Sequence, residues 1–281
     1  MSSNLTPRDH FPHDRFSDVS PLGHGSMGEV YSAFDATRGQ RVALKTLPAL
    51  DAEQVYWLKN EFRALSDVRH RNLVELHDLC VTDRSCFFAM ELVEGTDFVT
   101  FVQDLLRCEP SSEVAALARR AEVDEVVAQL VRAIQAIHDA GKLHRDVKPS
   151  NVLVTKQGRV VVLDFGLALP IERTADTFER YTFAGTPSHM APEQAFGEPG
   201  SPMTDWYAVG VVLFEALTGT LPFKGSFSDV FLQKQRGAPD LRARRENVPE
   251  HLAVLVNALL DPSPERRPDG GQILAALQTS A

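Results

Sequence analysis

An α+β fold in two parts is what this sequence predicts: a small sheet-rich part carrying one helix, then a larger, mainly helical part. Three observations lead there. Between Phe16 and Gly95 the chain is a succession of short β-branched or alternating runs broken by glycine and turn residues. Beyond Gly95 apolar residues recur at helical spacing instead. A chain of 281 residues with 43% hydrophobic content can bury one large core or two modest ones, because single cores stop growing at about 250–300 residues.

Taken in order, residues 1–15 are rich in Pro, His and Asp and read as a flexible leader. "FSDVSPLGHGSMGEVYSAFDA" and "RVALKTL" read as strands. In "AEQVYWLKNEFRALSDV", Val55, Leu58, Phe62, Leu65 and Val68 form one apolar stripe with charges opposite, which predicts a helix. "NLVELHDLCV" and "SCFFAMELVEG" read as two more strands joined by a short turn. "RCEPSSEVAALARRAEVDE" reads as a loop leading into the amphipathic helix "EVDEVVAQLVRAIQAIHDAG", with Gly141 as its stop. "VVVLDFGLAL" begins as an apolar strand, and further helices are expected near 204–218, 226–235, 250–260 and 270–279.

Composition removes several function classes. The 29 basic and 38 acidic residues give a net charge of −9, and no long Lys/Arg block exists. Nucleic acid or an anionic membrane is therefore not the expected main partner. Cys80, Cys86 and Cys108 are an odd and sparse set, unlike a secreted disulfide framework, so a cytoplasmic location and free thiols are expected. The first residues lack the apolar core of a signal peptide. Apolar runs such as "YAVGVVLFEAL" reach about half the length of a membrane span.

Chemistry concentrates in four places. "GHGSMGEV" places Gly23, Gly25 and Gly28 before Val30. Glycine lets a backbone approach an anion and point N–H groups at phosphate oxygens. Such turns are common between strands, but this one joins two strands, unlike a dinucleotide fold, and lacks the Gly-Lys-Ser/Thr of a Walker loop. Lys45 in "VALK" could hold phosphates one strand later, with Glu61 on the following helix as its anionic partner. In "HRDVKPSN", Asp146, Lys148 and Asn151 supply a carboxylate, a cation and a metal-ligating amide within six positions. Phosphoryl transfer to a hydroxyl needs one of each. Asp164, in the "DFG" that closes an apolar strand, suits a second hard-oxygen ligand for Mg²⁺.

The order of glycine loop, "VALK", "HRDVKPSN", "DFG" and "APE" resembles the eukaryotic-type (Hanks-type) serine/threonine protein kinases, in the style of bacterial signalling kinases, over roughly residues 16–277. The resemblance implies a bilobal protein-kinase fold. Residues 16–92 would be an N-lobe with an antiparallel sheet, 93–281 a C-lobe, and ATP would lie in the cleft between them. It implies that Gly23, Gly25 and Gly28 cover the ATP phosphates, that Lys45 holds them, and that Glu61 pairs with Lys45. Asp146 would be the catalytic base, Lys148 the γ-phosphate cation, and Asn151 and Asp164 the Mg²⁺ ligands. Val30, Ala43 and Leu153 would enclose adenine, with Met90 behind it, Glu91 to Val93 as the hinge, and Asp97 at the ribose or a basic substrate side chain.

The resemblance further implies that Thr186, in "GTP", supports Asp146 and Lys148, and that Glu193 pairs with Arg267. Asp205 matches a structural position of the family, and Leu65, Leu76, His144 and Phe165 would form an apolar column. His189 departs from the pattern, standing where most relatives have Tyr, and Leu169 stands where many carry a basic residue. The implied substrate is a protein Ser/Thr hydroxyl, and further domains in a longer parent protein are expected. A pseudokinase scaffold ranks second, because Lys45, Asp146 and Asp164 are all present. A small-molecule kinase of the same fold ranks third, because "GTP" and "APE" are peptide-binding features. Arg145 and Thr182 resemble the pair in which a phosphothreonine orders the activation loop, with Thr174 and Thr177 as secondary sites. Thr182→Ala is therefore expected to reduce turnover modestly in a steady-state assay; undiminished turnover would remove this switch.

Overall fold

The computed structural model describes residues 11–12, 14–25, 28–47, 52–82, 86–108, 111–164, 188–245 and 247–278, apart from the side chains at 24, 25, 52, 53, 57, 61 and 64. The chain divides into two compact units, the first including Val74–Val93 and the described residues up to and including Arg69, the second including His70–Leu73 and the described residues from Glu94 onward.

The first unit is an antiparallel sheet of five strands in the order β1-β2-β3-β5-β4. The strands are β1 (Phe16–Gly25), β2 (Gly28–Asp35), β3 (Gln40–Leu47), β4 (Leu76–Val81) and β5 (Cys86–Glu91). Helix α1 (Ala52–Ser66) intervenes between β3 and β4. Its Phe62 ring stacks on Phe88 of β5 at 5.5 Å, and Leu58 and Leu65 are buried beside it. The apolar stripe read from the sequence is thus the face applied to the sheet.

The leader expectation needs correction at its end. Phe11 is 4% exposed and meets Tyr31, Phe87 and Phe16 edge-on, at 5.4, 4.9 and 6.5 Å. Arg15 binds the fully buried Asp35 through Nη2 at 2.7 Å and Asp78 at 2.5 Å. That guanidinium holds the Asp35 carboxyl below the usual range despite its burial. The signal overlooked was one aromatic and one cation, each opposite a partner remote in sequence.

A second difference concerns "NLVELHDLCV", where the strand begins only at Leu76. Asn72 Nδ2 instead donates to Gln129 Oε1 at 2.8 Å and to the Val160 carbonyl at 2.7 Å, and Leu73 bridges Val162. Those bonds draw residues 70–73 into the second unit.

The second unit carries a three-stranded sheet, β6 (Gly95–Asp97), β7 (Val152–Thr155) and β8 (Val160–Val162). Its helices are α2 (Phe98–Arg107), α3 (Glu113–Asp139), α4 (Pro192–Ala195), α5 (Pro202–Thr218), α6 (Phe227–Arg236), α7 (Leu241–Arg244), α8 (Glu250–Leu259) and α9 (Gly270–Gln278). The stretch expected as a loop before the long helix is helical from Glu113 onward. Ser112 caps it by accepting from the Ala115 N–H at 3.2 Å, and the Ala-rich turns that follow favour helix without packing, with Val114 and Leu117 exposed. Burial begins only at Val123. Gly141 ends the helix as expected, at φ 71°. Helix α5 is buried over most of its length, with Trp206, Tyr207, Val209, Leu213 and Phe214 at 1% exposure or less.

Cys80 and Cys86 are free thiols. Burial pushes both up, Cys86 to about 11, so neither is an activated nucleophile. Among the described residues no helix is long and apolar enough to cross a membrane. Phe11→Ala is expected to cost the first unit about 3 kcal/mol, the usual loss for a buried aromatic; an unchanged denaturant midpoint would show that the pre-strand segment is dispensable.

Candidate active site

In the first unit the glycine-bearing hairpin pairs Gly23 with Val30 and Gly25 with Gly28. A Cβ at Gly28 would lie 2.1 Å from the Thr46 carbonyl, so close approach of β3 alone requires this glycine. At Gly23 nothing lies within 4 Å of the Cβ position, leaving open space above the backbone. Val30 pairs with Lys45, and Lys45 with Phe88, while Ala43 pairs with Met90. With side chains alternating along a strand, Val30, Ala43, Lys45, Phe88 and Met90 share one sheet face, the face on which Phe62 stacks. Lys45 is 3% exposed there. A lysine is rarely so buried unless its charge is used. Glu61 lies in α1, immediately before Phe62, and its side chain is outside the described residues. Beyond Met90, Glu91 anchors its N–H on the Glu75 carbonyl at 2.8 Å, and Leu92 and Val93 continue without helix or strand.

In the second unit the candidate catalytic residues of "HRDVKPSN" converge. Lys148 Nζ donates to Asp146 Oδ2 at 2.6 Å, and Asn151 Nδ2 donates to the same oxygen at 3.1 Å and to the Asp146 carbonyl at 2.8 Å. Asp146 is 38% exposed at its side chain while Lys148 is 14% exposed, so the carboxylate can be reached from solvent and the cation is held behind it. Because Asn151 donates through its nitrogen, its amide oxygen is the atom left to ligate. Asn151 closes the 3₁₀ turn Pro149–Asn151 and accepts the Leu163 N–H at 2.8 Å, which carries β8 back towards Asp164.

Asp205, buried at the start of α5, holds this loop. Its Oδ2 accepts the His144 N–H and its Oδ1 the Arg145 N–H, both at 2.8 Å, and His138 Nε2 lies 2.8 Å from Oδ2. Arg145 takes φ 67° and Asp164 φ 55°, conformations that cost a non-glycine residue roughly 1–2 kcal/mol. The Asp205 bonds offset that cost at Arg145. His144 accepts the Asp146 N–H at Nδ1, 3.2 Å, which leaves Nε2–H to donate to the Leu163 carbonyl at 3.0 Å. His144 therefore joins the loop carrying Asp146 to the segment carrying Asp164.

Asp97 caps α2, accepting the Thr100 N–H at 2.9 Å, and pairs across the sheet with Leu153. Leu65 and His144 are buried within their own units. Phe165, Leu169, Thr174, Thr177, Thr182 and Thr186 lie outside the described residues. His189 Nε2 lies 3.5 Å from Glu215 Oε2 of α5.

Glu193 and Arg267 form a buried ion pair, as the family resemblance implied. Arg267 grips Glu193 with two bonds, 2.7 and 2.9 Å, and its remaining donors reach the carbonyls of Asp261, Pro262 and Met203. Thr204 Oγ1 also donates to Glu193. Burial alone would push the Glu193 carboxyl up, but the guanidinium outweighs it and holds the carboxyl below the usual range.

The protein kinase domain family model matches residues 16–277. The chain belongs to that family. It is 33% identical over 283 residues to the serine/threonine-protein kinase pkn2 of Myxococcus xanthus, spanning 96% of this chain and 33% of that protein. It is 34% identical over 212 residues to the serine/threonine-protein kinase PknA of Mycobacterium tuberculosis, spanning 73% of this chain and 47% of that protein. The chain thus spans less than half the length of these relatives. A crystal structure of Rad53 residues 1–466 in complex with AMP-PNP superposes with a TM-score of 0.73 at 25% identity, covering 92% of this chain and 63% of that one. The kinase-domain fold accounts for both units, the antiparallel N-lobe sheet and the helical C-lobe.

Arg267→Met should cost on the order of 3 kcal/mol near neutral pH, because it strands a buried carboxylate. The cost shrinks with acid. The wild-type pair contributes stability above the ordinary carboxylate range and loses it as pH falls through the lowered Glu193 value, whereas the variant recovers as its stranded Glu193 takes up a proton. Melting temperatures of the two proteins should converge on acidification, and a constant gap would refute the assignment.

Proposed function

We propose that this domain is an active serine/threonine protein kinase that transfers the ATP γ-phosphoryl group to protein Ser/Thr hydroxyls and phosphorylates its own activation segment. The observation that carries the reading is the convergence of Lys148 and Asn151 on Asp146 Oδ2, on a loop whose backbone Asp205 pins. With Oδ2 so engaged, Oδ1 keeps lone pairs for a substrate hydroxyl, which it orients and whose proton it accepts. Lys148, drawn up against the carboxylate, is placed to balance charge developing on the phosphoryl oxygens.

Residues 16–92 then act as the N-lobe and 93–281 as the C-lobe. Open space at Gly23 suits a phosphate approaching the hairpin backbone, and Lys45 supplies a buried cation on the sheet face shared with Val30, Ala43 and Met90. Gly25 and Gly28 shape the hairpin, and Glu61 is assigned as partner of Lys45. Asp97 and Leu153, paired on β6 and β7, and the Glu91 to Val93 stretch serve the nucleoside. Thr186 is assigned to the support of Asp146 and Lys148.

The Asn151 amide oxygen and the Asp164 carboxylate are a donor set that fits Mg²⁺. Both are hard oxygens, and a Mg²⁺ ion held by one or two protein groups completes its octahedron with phosphates and water. When bound, the ion would neutralise phosphate charge. Asn151 would hold it by virtue of the two bonds that fix its amide, and Asp164 from a backbone locked at positive φ.

Asp146→Ala should reduce transfer to a generic basic protein substrate by about 10³-fold, within the range for losing a positioned base, with ATP affinity little changed. Phosphosite mapping and ATP titration of both proteins measure this. Transfer retained by the variant would refute the role of Asp146, and ATP binding without transfer by the wild type would point to a scaffold.

A further inference from the structure

Lys234, in α6, has no part in the chemistry above, yet it is 2% exposed. Its Nζ donates to the Ser188 carbonyl at 2.9 Å and the Met190 carbonyl at 2.5 Å, and lies 5.6 Å from the centroids of both the Tyr207 and Phe223 rings. Packing does not explain this choice. An apolar side chain of the same length would fill the space without desolvating a charge, an exchange that is often neutral or stabilising. What the ammonium alone supplies is a grip on two carbonyls, and these carbonyls flank His189, the residue that departs from the family pattern.

With both neighbouring carbonyls held, the backbone at 188–190 cannot turn without breaking a charge-assisted bond. The His189 ring is thereby kept towards Glu215, at 3.5 Å. Resting on the protein-kinase reading, which places His189 in a substrate-facing wall, we propose that Lys234 is a positioning residue for the peptide substrate, fixing residues 188–190 of that wall by clamping Ser188 and Met190. The clamp is sensitive to protonation. Burial pushes the Lys234 ammonium down to about 7, against the pull of the Glu193 carboxylate on α4, whose own charge is engaged by Arg267. The charged clamp is complete below neutrality and weakens as pH rises through that value.

The test is Lys234→Met, which keeps the length and removes the ammonium. At pH 6.5 the KM for a Ser/Thr peptide should rise about tenfold, while the KM for ATP and peptide-independent ATP hydrolysis stay within about twofold. The wild-type peptide KM should climb between about pH 6 and 8.5, and the variant's should follow a flatter course. Lys234→Gln, with a neutral donor on a shorter stem, should recover part of the loss. An unchanged peptide KM, or equal losses for peptide and ATP, overturns the proposal. Hydrogen exchange separates it from the kinase reading. Amides of 188–195 should exchange faster in Lys234→Met and those of 206–214 should not, and equal exchange in both proteins refutes the clamp even where no transfer occurs. Absence of peptide phosphorylation by the wild type defeats the kinase reading instead.

Discussion

The loop that carries Asp146 depends on one buried carboxylate. Asp205 accepts two successive backbone N–H groups, from His144 and Arg145, and packs against His138, so the loop is fastened to the most buried helix of the second unit. Everything downstream inherits that fixation. Arg145 can occupy the left-handed region because its amide is bound there. His144 then presents one ring nitrogen to Asp146 and the other to the Leu163 carbonyl, so the two aspartates of interest are spaced through a single imidazole. The functional groups of the loop are consequently rigid although its backbone is neither helix nor strand.

Two buried cations support the chain that follows, and they show opposite solutions to one problem. Arg267 brings a planar fork, spends its donors on Glu193 and three carbonyls, and lies 4.8 Å from the Tyr207 ring centroid. Its charge is balanced by a carboxylate at contact distance. Lys234 donates to two neutral carbonyls, and desolvation prevails over the attraction of Glu193, lowering its proton affinity. One cation anchors permanently, and the other is responsive to pH near neutrality.

In the first unit the sheet serves two purposes on its two faces. One receives α1 and bears Lys45; elsewhere Phe11, Phe16, Tyr31 and Phe87 gather in a core cluster with Val42 and Leu44. The burial of β3 on both faces explains why its Lys45 is enclosed without being at a strand edge. The glycines of the hairpin divide similarly. Gly28 is demanded by the neighbouring strand, and Gly23 leaves room that no described residue fills.

The sequence by itself determined the elements whose cause is local. Alternation set β2 and β3, the three-and-four spacing set α1, and Gly141 stopped α3. Motif order also identified the residues that meet at Asp146, since Lys148 and Asn151 lie within one turn of chain and need no distant partner. Tertiary structure decided whatever rests on contacts far apart in sequence. Phe11 and Arg15 are ordered by Phe87, Asp35 and Asp78, the strand expected from Asn72 yields to Gln129 and Val160, and Lys234 acquires a role only from carbonyls over forty residues earlier. A side chain's local pattern records its periodicity and its caps, whereas the depth at which a charge is buried, and the partner it finds there, exist only once the elements have packed.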